Sequence, residues 1–271
     1  MTTRYEKVER FLALHQPGEP LVLPNPWDAG TAKLFASLGF QALATTSSGH
    51  AGTLGRSDGA VTREEALAHG AAIAAATELP VSADLENGFA DEPAGVAASV
   101  RAAAEAGLAG CSVEDYTGDA TRPFYDAGLA AERVTAAAEV SRSGESRLVL
   151  TARAENHLRG NDVLSDTIAR LQSYQEAGAD AVYAPGLSDL GAIERVVQSV
   201  DVPVNVLLVP GGPTVQELAS VGVARVSVGG AFHLVSLAAA ARAARELLDA
   251  GTHGFWDEAV EGIKARKRAF S

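Results

Sequence analysis

A short apolar run ending at Ala83 leads into Asp84-Leu85-Glu86-Asn87-Gly88-Phe89, so two carboxylates arrive just ahead of a glycine turn. Alternate residues of a strand share a face, and Asp84 and Glu86 are therefore expected to point the same way. About thirty residues later Cys111-Ser112-Val113 runs into Glu114-Asp115. Acids on two strand ends of one sheet make an oxygen-only site for a hard divalent cation, Mg2+ first, with Mn2+ as a substitute. Each acid alone is equally well read as a solvated strand-end residue. Their recurrence favours the site.

Such a site needs strands that all end on one face. Apolar strand-like runs recur at 21–23, 42–46, 81–84, 110–114, 148–152, 181–183, 204–208 and 225–228. Helical patterns separate most of them, at 63–77, 93–106, 129–141, 163–177 and 190–199. Thr62 followed by Glu65 is a capping box that starts the first of these. Short buried strands alternating with helices specify a parallel sheet, and eight of them in one chain specify a (β/α)8 TIM barrel. Four helices end in the same way, with Gly39, Gly107, Gly178 and Gly222 at the expected left-handed position. Three other strands are entered through Pro20, Pro80 and Pro203. An extra helix is expected at 3–14, and two more after the last strand at 234–248 and 255–268. The alanine-rich stretch 238–244 suits a close helix contact or ordinary core packing. No linker divides the chain, so residues 1–271 are expected to form one domain.

In this barrel the carboxyl ends of the strands carry the chemistry. Asp84 is the expected direct metal ligand, with Asp58, Glu86 and Glu114 holding metal-bound waters. Thr46, Ser48, Gly49 and His50 offer hydroxyls and amides to a substrate carboxylate. Arg153 can grip an anion in bidentate fashion, or else pair with one of the acids. Asn205 is a further carboxylate donor or a polar cap inside the barrel. Trp27 can wall the site or pack in the core. Gly229-Gly230 could cradle phosphate, but no lysine or arginine follows them.

The 271 residues are 47% hydrophobic, enough for a large core, and carry a net charge of -12. That charge opposes binding to nucleic acid or to an anionic membrane. One cysteine, Cys111, rules out an internal disulfide or a multi-cysteine metal site. The start Thr2-Thr3-Arg4-Tyr5-Glu6-Lys7 is polar, and apolar stretches stop short of the roughly 20 residues a membrane span needs. A soluble, cytoplasmic protein is the expectation.

The order of Thr46-Ser47-Ser48-Gly49-His50, Asp58, Asp84 to Phe89, Val113-Glu114-Asp115, Ala152-Arg153-Ala154-Glu155 and Pro203-Val204-Asn205 resembles the isocitrate lyase/phosphoenolpyruvate mutase superfamily. The resemblance implies a barrel whose last helix is exchanged between subunits of a homodimer or homotetramer. It also implies Mg2+-dependent making or breaking of a C–C or P–C bond beside a 2-oxo acid. Succinate-releasing lyases of that family carry a Lys-Lys-Cys-Gly-His loop, and phosphonopyruvate enzymes a lysine and an Asn-Ser pair. Here the loop 116–126 has neither lysine nor cysteine, and Cys111 lies inside a strand. Glu86 stands where many members have aspartate.

What remains is a carbon–carbon lyase acting on a small 2-oxo or 2-hydroxy di- or tricarboxylic acid through a metal-stabilised enolate. Oxaloacetate decarboxylation fits because no dedicated acid is needed at the bond that breaks. Isocitrate- or methylisocitrate-type cleavage would instead use Tyr116, Tyr125 or a metal-bound water as acid or base, and the expected catalytic set is Asp58, Glu114, Arg153 and Tyr116. Tyr116 and Tyr125 can equally be packing residues. The alternatives are a phosphonopyruvate-type mutase or hydrolase, and a 2-oxo-acid-binding protein with little catalysis.

Overall fold

The structure is a computed structural model and describes residues 2–144 and 147–270. Eight strands form one parallel sheet in the order β1-β8-β7-β6-β5-β4-β3-β2: β1 (Leu21–Leu23), β2 (Leu43–Ala44), β3 (Val81–Asp84), β4 (Gly110–Glu114), β5 (Val149–Arg153), β6 (Ala181–Tyr183), β7 (Val204–Leu207) and β8 (Arg225–Ser227). The sheet curls into a barrel with its seam between β1 and β2. There the Ala44 amide donates to Pro24 O at 3.2 Å, and Asn25 Nδ2 donates to Thr45 O at 3.0 Å. The expected TIM barrel is what the chain builds.

One helix follows each strand, except that two follow β2. They are α2 (Ala29–Ser37), α3 (Ser47–Thr53) and α4 (Arg63–Ala75), α5 (Pro93–Glu105), α6 (Ala127–Ser141), α7 (Leu164–Glu176), α8 (Leu190–Ser199), α9 (Val215–Ser220) and α10 (Ala231–Ala250). The Thr62–Glu65 capping box forms, and Gly39, Gly107, Gly178 and Gly222 all take positive φ just past a helix end. Alanines on α5 and α6, Ala103 and Ala137 among them, are fully buried where these two helices pack closely. The barrel core draws on Leu108, Leu148 and Leu150, each without exposed surface. Truncating one such leucine to alanine typically costs about 2–5 kcal/mol.

The extra helices have distinct placements. The first, α1 (Arg4–Ala13), closes the amino end of the barrel, burying Val8 and Phe11 against Leu21, Ala42, Ala109 and Val149. Gly110 must be glycine there, because a Cβ would stand 2.8 Å from the Phe11 ring and 2.9 Å from Val149 O. The last, α11 (Trp256–Phe270), lies against α2. Between them α10 buries only His233, and Leu234, Val235, Leu237, Leu247 and Leu248 are exposed. The alanine stretch 238–244 thus does not enter the core of this chain. No helix of the described residues is long and apolar enough to cross a membrane.

Candidate active site at the carboxyl ends of the strands

Register decides which side chains meet. Glu114 is paired with Arg153, Arg153 with Tyr183, Tyr183 with Asn205, and Asn205 with Arg225. The carboxyl ends enclose a cavity of about 170 Å³ to which every strand contributes. Ligand pockets for drug-sized molecules usually run to roughly 300–1,000 Å³, so this one suits a small acid.

Arg153 is its electrostatic centre. Nη1 donates to Asp84 Oδ1 at 3.0 Å, Nη2 meets Glu114 Oε2 at 3.0 Å, and Nε and Nη2 grip Glu155 Oε1 at 3.0 and 2.8 Å. Burial opposes its charge, but Glu114, Glu155 and Asp84 outweigh burial and hold its pKa well above the ordinary value. Both readings of Arg153 thus hold at once, since it pairs with the acids and lines the cavity. One cation among three acids is too little. Burial, only partly offset by Arg153, raises the pKa of both Glu114 and Glu155.

Asp84 is fixed from several sides. Its Oδ1 also accepts from the Glu86 amide at 3.3 Å, and its Oδ2 accepts from the Ser47 amide at 3.2 Å. Glu86 approaches by a route the sequence did not disclose. The strand ends at Asp84, and Glu86 sits in a left-handed turn at φ 49°, an unusual conformation for a residue with a side chain. Convergence of the two acids thus comes from the turn, not from strand alternation. Burial, then Asp84 and Asp58, push the Glu86 carboxyl up to about 7. Asp58 reaches the cavity from the exposed loop after α3. Among the described residues no group of three or more His, Cys, Asp or Glu side chains forms a ready-made metal cage.

The segment after β2 departs from expectation because it is helical. Thr46 caps α3 by accepting from the Gly49 amide at 3.3 Å, so that amide is already engaged. Thr46 and Ser48 line the cavity. Successive helical residues turn by about 100°, which carries His50 away from Ser48. The His50 ring instead stacks on His69 at 3.8 Å, with both nitrogens buried and unbonded. Burial lowers its pKa, so it is neutral. His50 borders only a small side cavity next to Glu86 and is not brought to the main one.

Tyr116 is also kept out of the cavity lining: Arg159 lies over its ring at 3.7 Å, and residue 116 forms an antiparallel bridge to Phe124. The Tyr125 hydroxyl is engaged by Asp91 and Asn87. Asp115 turns outward to Tyr174, Arg170 and the Glu155 amide, which it braces. Trp27 packs on Phe35 and His233. Cys111 is fully buried, its thiol pushed up to about 12 by burial. Asn205 lines the cavity but is engaged, accepting from Arg225 Nε at 2.9 Å and donating to Ser227 Oγ at 3.1 Å.

Sequence reading missed Glu155 as an Arg153 partner, together with Ser112, Tyr183, Arg225 and Ser227 on the cavity wall. Strand parity is the signal for Glu155, Ser112, Arg225 and Ser227, each an even number of positions from a residue already assigned to the working face, whereas β6 offered Tyr183 no such reference.

The family model described as phosphoenolpyruvate phosphomutase matches residues 11–248. A crystal structure of a candidate lyase/mutase from Burkholderia cenocepacia J2315 is 47% identical, superposes with a TM-score of 0.94, and covers 99% of this chain and 97% of its own. An uncharacterised protein of Mycobacterium tuberculosis is 37% identical over 241 residues, 88% of this chain and 89% of that one. Oxaloacetate decarboxylase 2 of Pseudomonas fluorescens is 29% identical over 201 residues, 72% of this chain and 67% of the other.

Proposed function

Because the chain belongs to the phosphoenolpyruvate phosphomutase family, within the isocitrate lyase/phosphoenolpyruvate mutase superfamily, we propose that it is a Mg2+-dependent lyase that breaks a C–C bond in a small 2-oxo or 2-hydroxy di- or tricarboxylic acid. The observation that carries this reading is Arg153, a buried cation held by Asp84, Glu114 and Glu155 at the wall of a small polar cavity. Oxaloacetate is the first substrate to try, since the loop 116–126 supplies no cysteine or lysine and decarboxylation asks for neither.

The donor set fits a hard divalent cation: all oxygen, with Glu86 held near neutrality by its acidic neighbours. Asp84 would hold the ion directly, with Asp58, Glu86 and Glu114 on its waters. Mn2+ would substitute. When bound, the ion supplies Lewis-acid polarisation of a 2-oxo carboxylate, a contribution of several kcal/mol to the barrier. The chain's own residues do the rest. Arg153 orients the acid, and Ser48 and Thr46 donate to its carboxylate. The loop 116–126 would close over the mouth to exclude water.

We further propose that α10 is exchanged with a second copy in a homo-oligomer, which would cover its exposed leucines. The test of function is a Mg2+-dependent screen of 2-oxo, 2-hydroxy and phosphono acids. Asp84→Ala is expected to lose metal-dependent turnover while keeping the far-ultraviolet spectrum of the barrel. Unchanged turnover in that variant sinks the metal assignment, and a preference for phosphono acids sinks the carbon–carbon reading.

A further inference from the structure

Deep in the same cavity lies a second buried cation. Arg225 begins β8, is only 5% exposed, and lines the cavity with Asp84 and Arg153. Its Nε donates to Asn205 Oδ1 at 2.9 Å and its Nη1 to Thr151 Oγ1 at 2.9 Å. Nη1 also lies 3.3 Å from His15 Nε2, and the other nitrogen of that ring is 2.7 Å from Phe11 O. The carbonyl can only accept, so Nδ1 carries the hydrogen and Nε2 receives one from Arg225.

Every partner of Arg225 is therefore neutral. Among the described residues no acid pairs with it, whereas Arg153 has three. Its Nη2 makes no hydrogen bond to the described residues. A purely structural arginine looks different here: Arg133 spends both Nη groups on the carbonyls of Ala90, Asp91 and Asn87. A buried guanidinium with a spare donor facing a cavity is a receptor for an anion.

Register sets where that anion belongs. Arg153, Tyr183, Asn205 and Arg225 are successive partners across four adjacent strands. Arg225 also sits one pleat below Ser227, roughly 6.6 Å toward the amino end at 3.3 Å per residue. The cavity thus has a cation on its upper wall and another at its floor. Arg153 is already matched by three carboxylates, whereas Arg225 has none among the described residues, so the charge that calls for an anion lies at the floor.

On the small-acid reading above, on which this depends, we propose that Arg225 binds the distal carboxylate of the substrate, so that the site selects short diacids over monoacids. The hydrogen bonds from Nε and Nη1 fix the fork, and Nη2 meets the ligand. Charge-assisted pairing in a water-poor cavity makes this a specificity contact rather than a part of the bond-breaking step.

The experiment uses the full chain with Mg2+ and two probes that differ by one carboxylate, malate and lactate, titrated by calorimetry, with turnover of each followed in parallel. Wild type is expected to bind malate at least tenfold more tightly than lactate. Arg225→Gln is expected to weaken malate tenfold or more and leave lactate within twofold. Arg225→Lys should recover part of the malate preference. Asn205→Asp, which sets a carboxylate beside Nε, should also weaken malate selectively, and it serves where Arg225→Gln does not fold. Equal loss for both acids, or malate binding unchanged in these variants, would overturn the proposal. Wild type binding malate and lactate equally would overturn it while leaving the small-acid reading standing. Wild type binding neither would sink the small-acid reading, and the Arg225 assignment with it.

Discussion

Arg153 makes four contacts with three carboxylates, and its planar fork is what lets it do so. Lysine keeps the charge but loses the paired contact to Glu155. Arg153→Lys is expected to lower kcat/KM by about 2–4 kcal/mol, roughly 30- to 1,000-fold, since a charge-assisted pair is broken in a buried setting. Steady-state kinetics beside a thermal melt check this, and a kcat/KM within twofold of wild type counts against the role. The acids and Arg153 were legible because they stand at strand ends. That Glu114 faces Arg153 was not, because only the register of β4 against β5 brings the two together. A second residue prediction concerns His15, whose pKa is pushed down to about 3 by burial and then by Arg225. Above pH 6.5 the ring is neutral in both folded and unfolded chains. As the pH falls below that, only the unfolded chain takes up the proton, so stability is lost with falling pH. By pH 5 the loss is about 2 kcal/mol. Urea unfolding at pH 7 and pH 5 measures it, and His15→Gln should show a shallower dependence. An identical slope in that variant would assign the acid sensitivity elsewhere.

At the scale of elements, the two loops that border the site behave differently. The loop 116–126 is tied to itself by the Thr117 amide on Pro123 O at 2.9 Å and by Thr121 on Asp119 at 2.7 and 2.8 Å. These bonds hold it together as one unit. It exceeds the usual connection of roughly 2–6 residues, as lids do. Addition of Mg2+ and oxalate is expected to raise the protection of its amides in hydrogen exchange. Equal exchange with and without them would make it a static surface feature and shift substrate selection to the cavity floor. The segment after β2 is the opposite case, a short helix locked by packing. Gly52 there admits the His233 ring, which would stand 2.4 Å from a Cβ. Its run Ser47-Ser48-Gly49-His50 has weak helix propensity, and the sequence patterns assign no helix there. Packing against the start of α10 and the Thr46 cap overrode that preference.

For the whole molecule, the unusual feature is α10, twenty residues long with one buried side chain. Exposed leucines on one long element are costly in water and mark an interaction surface. Leu234→Glu combined with Leu237→Glu is expected to convert the oligomer to monomer, as measured by light scattering after size exclusion. A wild-type protein that is monomeric at micromolar concentration would remove the exchange proposal. By itself the sequence determined the barrel, because alternating buried runs and helices with glycine stops leave few other ways to bury that much apolar surface. It also singled out Asp84 and Arg153, both of which line the cavity, because strand ends are local features. Only the tertiary structure decided which of these meet. Glu86 arrives by a left-handed turn, His50 is rotated out of the cavity by a helix, and Arg225 becomes a buried cation with no acid partner among the described residues because β5, β7 and the segment after α1 supply its neighbours. Strand register is set by pairings among residues far apart in the chain, which the local patterns that specify the barrel do not fix.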